Sequence, residues 1–176
     1  MSIIPVILIA LSLSMDAFSL SLAYGTLKME KASKLKLSII VGLYHFFMPL
    51  LGDIVGYNII NLLPIKPEVI LFMILFFIGV EMIIESFKDN KSIKYLDLFG
   101  MLLFAFAVSL DSFTTGLGLN VIYNNKFVSI ILFSISSFIF TYIGLNLGEY
   151  INHKLGKIST FFGGLTLILI GLFYII

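Results

Sequence analysis

Residues 10–18 read ALSLSMDAF and residues 105–113 read AFAVSLDSF, so a shift of 95 residues lays Ser14, Asp16 and Phe18 over Ser109, Asp111 and Phe113. Each stretch sits inside a long apolar run, the first from Ile3 to Tyr24 and the second from Leu98 to Val121. A shift of 92 residues lays Gly52 and Gly56 over Gly144 and Gly148, and Gly79 over Gly171. One register, with a small deletion, thus relates two halves of the chain, about residues 1–88 and about residues 97–176.

Of the 176 residues, 60% are hydrophobic and 12% charged, more apolar surface than a water-soluble domain can hide. A hydrocarbon slab about 30 Å thick takes roughly 20 helical residues to cross. Apolar runs at Ile3–Tyr24, Leu37–Ile60, Val69–Ile84, Leu98–Val121, Phe127–Leu147 and Ile158–Ile176 supply six such crossings and use up the length. They must be helices, because lipid offers no partner to an open backbone amide and the runs lack the alternation of barrel strands. The expected fold is an all-α integral membrane protein: a single transmembrane domain over residues 1–176, of six transmembrane helices in two three-helix repeats. Three is odd, so the second repeat crosses in the opposite sense to the first. Inverted repeats of this kind recur in secondary transporters, with the binding site where the halves meet.

The breaks between runs carry Lys28, Lys31, Lys34, Lys36, Lys88, Lys91, Lys94, Lys154 and Lys157 on one side, and only Lys66 and Lys126 on the other. The positive-inside rule places the first group in the cytoplasm and both termini outside. The loop lysines are expected to set topology and to meet anionic membrane lipid, and nothing in the pattern suits nucleic acid. The apolar N-terminus lacks a positive n-region, which makes it a retained first helix. Absence of cysteine excludes disulfides, thiolate metal sites and thiol redox chemistry. The number of subunits is not encoded in any motif.

Asp16 and Asp111 lie deep in their runs, where an ionisable group must face a polar interior and marks a path for a substrate or a proton. Ser19 and Thr114 follow three residues on and Thr115 four after Asp111, so they share the aspartate faces; Ser12 stands a turn before Asp16. Ala23 and Gly118 keep those faces small. Oxygen ligands beside small residues suit a hard divalent cation, with structural aspartates as the bland alternative. His45 could ligand a borderline metal or pass protons, and could equally be a satisfied core residue. Pro49 should kink the second run and free carbonyls. Glu81 is deep enough to act as a secondary ligand or to pair with an unidentified polar group, Glu85 to be interfacial, and Asp53 to lie on an exit path or reach interfacial water. The expected metal-facing set is Asp16, Asp111, Ser19, Thr114, Thr115, His45 and Glu81.

Residues 13–18 with Ser21 and Gly25, and residues 109–113 with Gly116, Leu117 and Gly118, resemble the paired motifs of the bacterial manganese efflux pump (MntP) family. Residues 48–52 (MPLLG) and 79–85 (GVEMIIE) extend the resemblance over nearly the whole chain. It implies a multi-pass transporter of the bacterial plasma membrane that lowers cytoplasmic Mn²⁺, with Mn²⁺ as transported substrate, no cofactor, and Asp16 and Asp111 as central acids. Glu81 departs from the family in standing where a basic residue is common, and Asp53 in standing where a large apolar one is usual. Mn²⁺ rather than Mg²⁺, Ca²⁺ or Fe²⁺ rests on the resemblance alone. No Walker motif is present, so an ion or potential gradient is the expected driving force.

Two other readings compete: an intramembrane aspartyl protease, disfavoured by the missing Gly-x-Gly-Asp context, and a non-transporting scaffold such as a sporulation-associated relative of the repeat domain. The orientation is directly testable, because the chain has no cysteine of its own. A Lys66→Cys variant in intact cells is expected to react with a membrane-impermeant maleimide, and a Lys91→Cys variant only after permeabilisation; the reverse pattern would invert the topology.

Overall fold

A computed structural model of the protein describes residues 3–27, 29–59, 67–87, 97–117, 126–155 and 157–175. Its helices are α1 (Ile4–Tyr24), α2 (Lys31–Ile59), α3 (Pro67–Phe87), α4 (Leu98–Val108), α5 (Leu110–Leu117), α6 (Lys126–Leu155) and α7 (Lys157–Ile175). Among the described residues α1, α2 and α6 are each long and apolar enough to cross a membrane, and α4 with α5 passes as a fourth, bent crossing. The described parts of α3 and α7 hold shorter apolar stretches, Leu75–Ile84 and Lys157–Phe173. Large apolar side chains cover the outside, with Ile54 73% and Phe173 84% exposed, as lipid-facing helices require. Lys28, Lys66, Lys88, Lys91, Lys94 and Gly118 lie outside the described residues.

Helix order in space follows from where backbones can touch. α1 packs along α6, α5 along α2, α3 along α7, and α2 along α6. Without a hydrophobic drive between helices in lipid, close approach depends on small residues. A Cβ on Gly144 would stand 2.7 Å from the Phe18 carbonyl oxygen and 2.9 Å from Ser21 Cβ, and Gly148 meets Leu22 and Gly25 of the same helix. On the other seam Gly52 meets the Phe113 carbonyl and Gly116 meets the Pro49 backbone. The sequence shifts that lay Gly52 on Gly144 and Phe18 on Phe113 thus turn one seam into the other. Between α3 and α7, Gly79 lies against the carbonyl of Gly164, 2.6 Å from a built Cβ.

α2 and α6 run antiparallel side by side. At one end Lys34 bonds Glu149 and, at 3.2 Å, Asn146 Oδ1; in the middle Ser134 Oγ donates to the Gly42 carbonyl at 2.8 Å; at the other end Lys126 Nζ lies 2.6 Å from Asp53 Oδ2. The shift of 92 carries Lys34 onto Lys126 and Gly42 onto Ser134. Lys34 is 1% exposed, so it is no loop lysine on lipid. The helix simply begins earlier than the apolar run: Lys31, Lys34 and Lys36 belong to the first turns of α2, where a long alkyl stem can be buried while its ammonium finds an acid.

The expected continuous helix over Leu98–Val121 is instead broken at Ser109, and its two parts meet at 43°. Ser109 N–H reaches the carbonyls of Ala105 (3.1 Å) and Phe106 (3.2 Å), and its hydroxyl also turns back to Phe106 at 3.2 Å. Ser112 N–H then closes a tight turn on the Ser109 carbonyl at 3.1 Å. The equivalent Ser14 also bonds back, to Ala10 at 2.6 Å, yet α1 stays continuous. The partner helices also differ. α5 seats Gly116 on Pro49 of α2, whereas α6 carries Thr141 at the position equivalent to Pro49.

These contacts rank the glycines. Gly144→Ala is expected to destabilise the detergent-solubilised protein by about 1–3 kcal/mol through forced separation of α1 and α6. Gly100→Ala, whose new Cβ would find Tyr24 Oη only at 4.0 Å, should leave the melting temperature unchanged or slightly raised. Thermal unfolding of both variants checks the contrast.

Candidate functional site: a two-aspartate cavity

Asp16 occupies the middle of α1, and Asp111 the first turn of α5 just past the break. Both line one cavity of about 50 Å³, together with Ser19, Leu20, Leu75, Ala107, Val108 and Ile170. The two carboxyl groups stand within electrostatic reach of one another. The cavity is thus walled by α1, α3, α4, α5 and α7, with one aspartate from each half of the chain. Apart from the carboxyls and Ser19 its side chains are apolar, and Leu20, Leu75 and Val108 are buried. Two carboxylates held that close in a low-dielectric wall need a proton or a cation between them. The volume accommodates a single ion with one or two waters.

Ser19 adds a hydroxyl to this wall; its proton goes to the Met15 carbonyl at 2.9 Å, which leaves oxygen lone pairs for a cation. Thr114 and Thr115 do not line the cavity, because both hydroxyls donate to the carbonyl of Asp111, at 2.8 and 2.9 Å, and brace the turn that carries it. Ser12 is exposed and also outside the lining. His45 is fully buried in α2, away from the lining, with Nδ1 3.0 Å from the Val41 carbonyl and no hydrogen-bond partner on Nε2. Glu81 stands exposed on α3, within electrostatic reach of Tyr24. No cluster of three or more His, Cys, Asp or Glu able to hold a metal occurs among the described residues.

The ion pairs at the two ends of α2 and α6 were not legible as such. Asp53 reads as an isolated acid and Lys34 as a loop charge until α6 is placed beside α2. The one available sign was the coincidence of Lys34 with Lys126 under the same shift that aligns the glycines.

Residues 28–175 match the family model described as "Putative manganese efflux pump". The chain belongs to the manganese efflux pump (MntP) family. It is 36% identical over 166 residues to the MntP protein of Geobacillus thermodenitrificans, covering 94% of this chain and 91% of that one. It is 37% identical over 167 residues to the MntP protein of Bacillus velezensis, covering 94% and 90%. The MntP protein of Geobacillus kaustophilus matches at 36% over 171 residues, covering 97% and 93%. No solved structure matches the chain.

Among MntP-family residues of this chain, the placement of hydroxyls separates Ser19 from the threonines. Ser19→Ala is expected to weaken Mn²⁺ binding measured by calorimetry by about 1 kcal/mol, a few-fold in Kd. Thr114→Ala should leave the affinity within a factor of about two, because its oxygen is committed to its own helix.

Proposed function

We propose that the chain exports Mn²⁺ from the bacterial cytoplasm as a secondary transporter, with Asp16 and Asp111 holding the cation jointly between the two halves. The observation that carries this reading is the arrival of both aspartates, one from each repeat, in a single small cavity. Carboxylate and hydroxyl oxygens without thiol or imidazole suit a hard divalent ion. The choice of Mn²⁺ among such ions comes from the printed names of the relatives. A cavity of about 50 Å³ has no room for a peptide substrate, which counts against the protease reading.

In this proposal the chain crosses the membrane six times as two inverted three-helix repeats, α4 and α5 together forming the fourth crossing, with both termini outside. The matched glycine seams, α1 on α6 and α5 on α2, support it. So does the pair of ion pairs. Lys34 and Asp53 are about 28 Å apart along α2, close to the thickness of a bilayer core, so one pair belongs at each face. The lysine distribution places Lys34–Glu149 at the cytoplasmic face.

Alternating access then follows as rocking of one repeat against the other around the aspartates. Each ion pair joins the two halves and closes one face; the more accessible Lys126–Asp53 pair, worth about 0–1 kcal/mol, parts easily, while the pair with the buried Lys34 is the harder one to open. Glu81 lies roughly 9 Å beyond Leu75 toward the cytoplasmic end of α3, where it can draw cations toward the cavity. The fully buried His45 serves packing in this account.

Purified protein in liposomes with an internal Mn²⁺-quenched dye tests the proposal. Asp16→Asn and Asp111→Asn are each expected to slow flux at least about tenfold, the loss of a charged ligand costing more than 1.4 kcal/mol. Flux indifferent to both aspartates, from protein shown to be folded, would sink the reading. For the closures, Lys34→Glu and Glu149→Lys should each slow transport and the doubly swapped protein should recover it. No recovery would leave these residues as structural anchors only.

A further inference from the structure

The two carboxyl groups and the Ser19 hydroxyl cannot by themselves complete the shell of about six oxygens that a hard divalent ion such as Mn²⁺ prefers. Water can take some of the remaining places, since a cavity of about 50 Å³ holds an ion and a few waters. Any further protein ligand has to be something other than an acid, because among the described residues no third acidic side chain stands with Asp16 and Asp111.

The break in the fourth crossing supplies a candidate. The hydrogen bonds that close the break fall on four carbonyls. Ser109 N–H turns to Ala105, Phe106 and Ala107, the Ser109 hydroxyl bonds Phe106 again, and the N–H groups of Ser112 (3.1 Å) and Phe113 (3.4 Å) both turn to Ser109. In an unbroken helix Ser112 N–H would have gone to Val108. Here it steps back only three residues, and the 43° bend carries the start of α5 off the axis of α4. Val108 is the last residue of α4 and is itself part of the cavity wall, next to Ala107. The final carbonyls of a helix point along its axis past its C-terminus and carry its negative partial charge. Past this C-terminus comes the turn that holds Asp111.

We propose that the backbone carbonyl oxygen of Val108, released by the break at Ser109, is a direct ligand of the transported cation beside Asp16 and Asp111. The assignment rests on the cation-export reading given above. It gives the break a purpose that the intact α1 does not need, since one released carbonyl serves a site shared by both repeats. It also places part of the binding site in the backbone, where a sequence motif cannot display it. A carbonyl ligand has no charge to lose and favours a hard, partly dehydrated ion over a soft one.

Isotope labelling reads this contact directly. Protein grown on valine labelled with ¹³C at the carbonyl carbon, purified in detergent and loaded with Mn²⁺, is examined by electron–nuclear double resonance. A carbonyl that binds the metal puts its carbon about 3 Å away and yields a resolved ¹³C coupling, which the other valine carbonyls are too distant to give. The coupling is expected in the labelled protein and should be absent from Mn²⁺-loaded Val108→Ile, which keeps the backbone carbonyl but loses the label, at the cost of one added methylene in a buried position. Aspartate-dependent Mn²⁺ binding with no coupling removable by Val108→Ile would overturn the carbonyl assignment and leave the export reading standing. Failure to bind Mn²⁺ in a manner sensitive to Asp16→Asn and Asp111→Asn would overturn the export reading and this inference with it.

Discussion

Two carboxyl groups inside an apolar bundle impose a requirement that the surrounding helices have to meet. Neither can face lipid, and each limits the charge its neighbour can carry unless something positive stands between them. The fold meets the requirement by bringing Asp16 of α1, which is exposed, and Asp111 of α5, which is partly so, to one small open cavity, with apolar residues of α3, α4 and α7 around them. Because the two groups arrive on different halves of the chain, any relative movement of the halves changes the site.

The approach depends on backbone contact. α1 lies on α6 and α5 on α2 with glycines at the crossing points, and even a methyl group would push the helices apart. Such seams suit helices that must pack without help from the hydrophobic effect. They are equivalent in position but not in detail, since Pro49 and Gly116 on one side face Thr141 and Ser21 on the other. The half that carries Pro49 and Gly116 is also the half with the broken helix.

α2 and α6 form the spine on which both seams hang. They are pinned at their ends by Lys34 with Glu149 and by Lys126 with Asp53, and touch in the middle at Gly42 and Ser134. The ends differ in depth: Lys34 is nearly inaccessible while Lys126 is 35% exposed. An ion pair with a buried lysine and one with a wet lysine do not cost the same to separate, so the two ends of the spine are not equivalent.

Sequence alone determined that the chain is helical and too apolar for water, that two of its segments are copies carrying equivalent aspartates, and that Ser19 shares the face of Asp16. Those properties follow from local composition and from a spacing of three or four residues, which a helix converts directly into a shared face. Tertiary structure alone decided which faces meet. Thr114 and Thr115 share the face of Asp111 by spacing, yet their hydroxyls are spent on its carbonyl. His45 and Glu81 are polar and embedded in apolar runs, yet packing sets them apart from the cavity. Lys34 finds Glu149 and Lys126 finds Asp53 across more than seventy residues of chain. Gly116 of α5 seats on Pro49 of another helix. In each case the deciding partner lies far away in sequence, and periodicity within one helix carries no information about it.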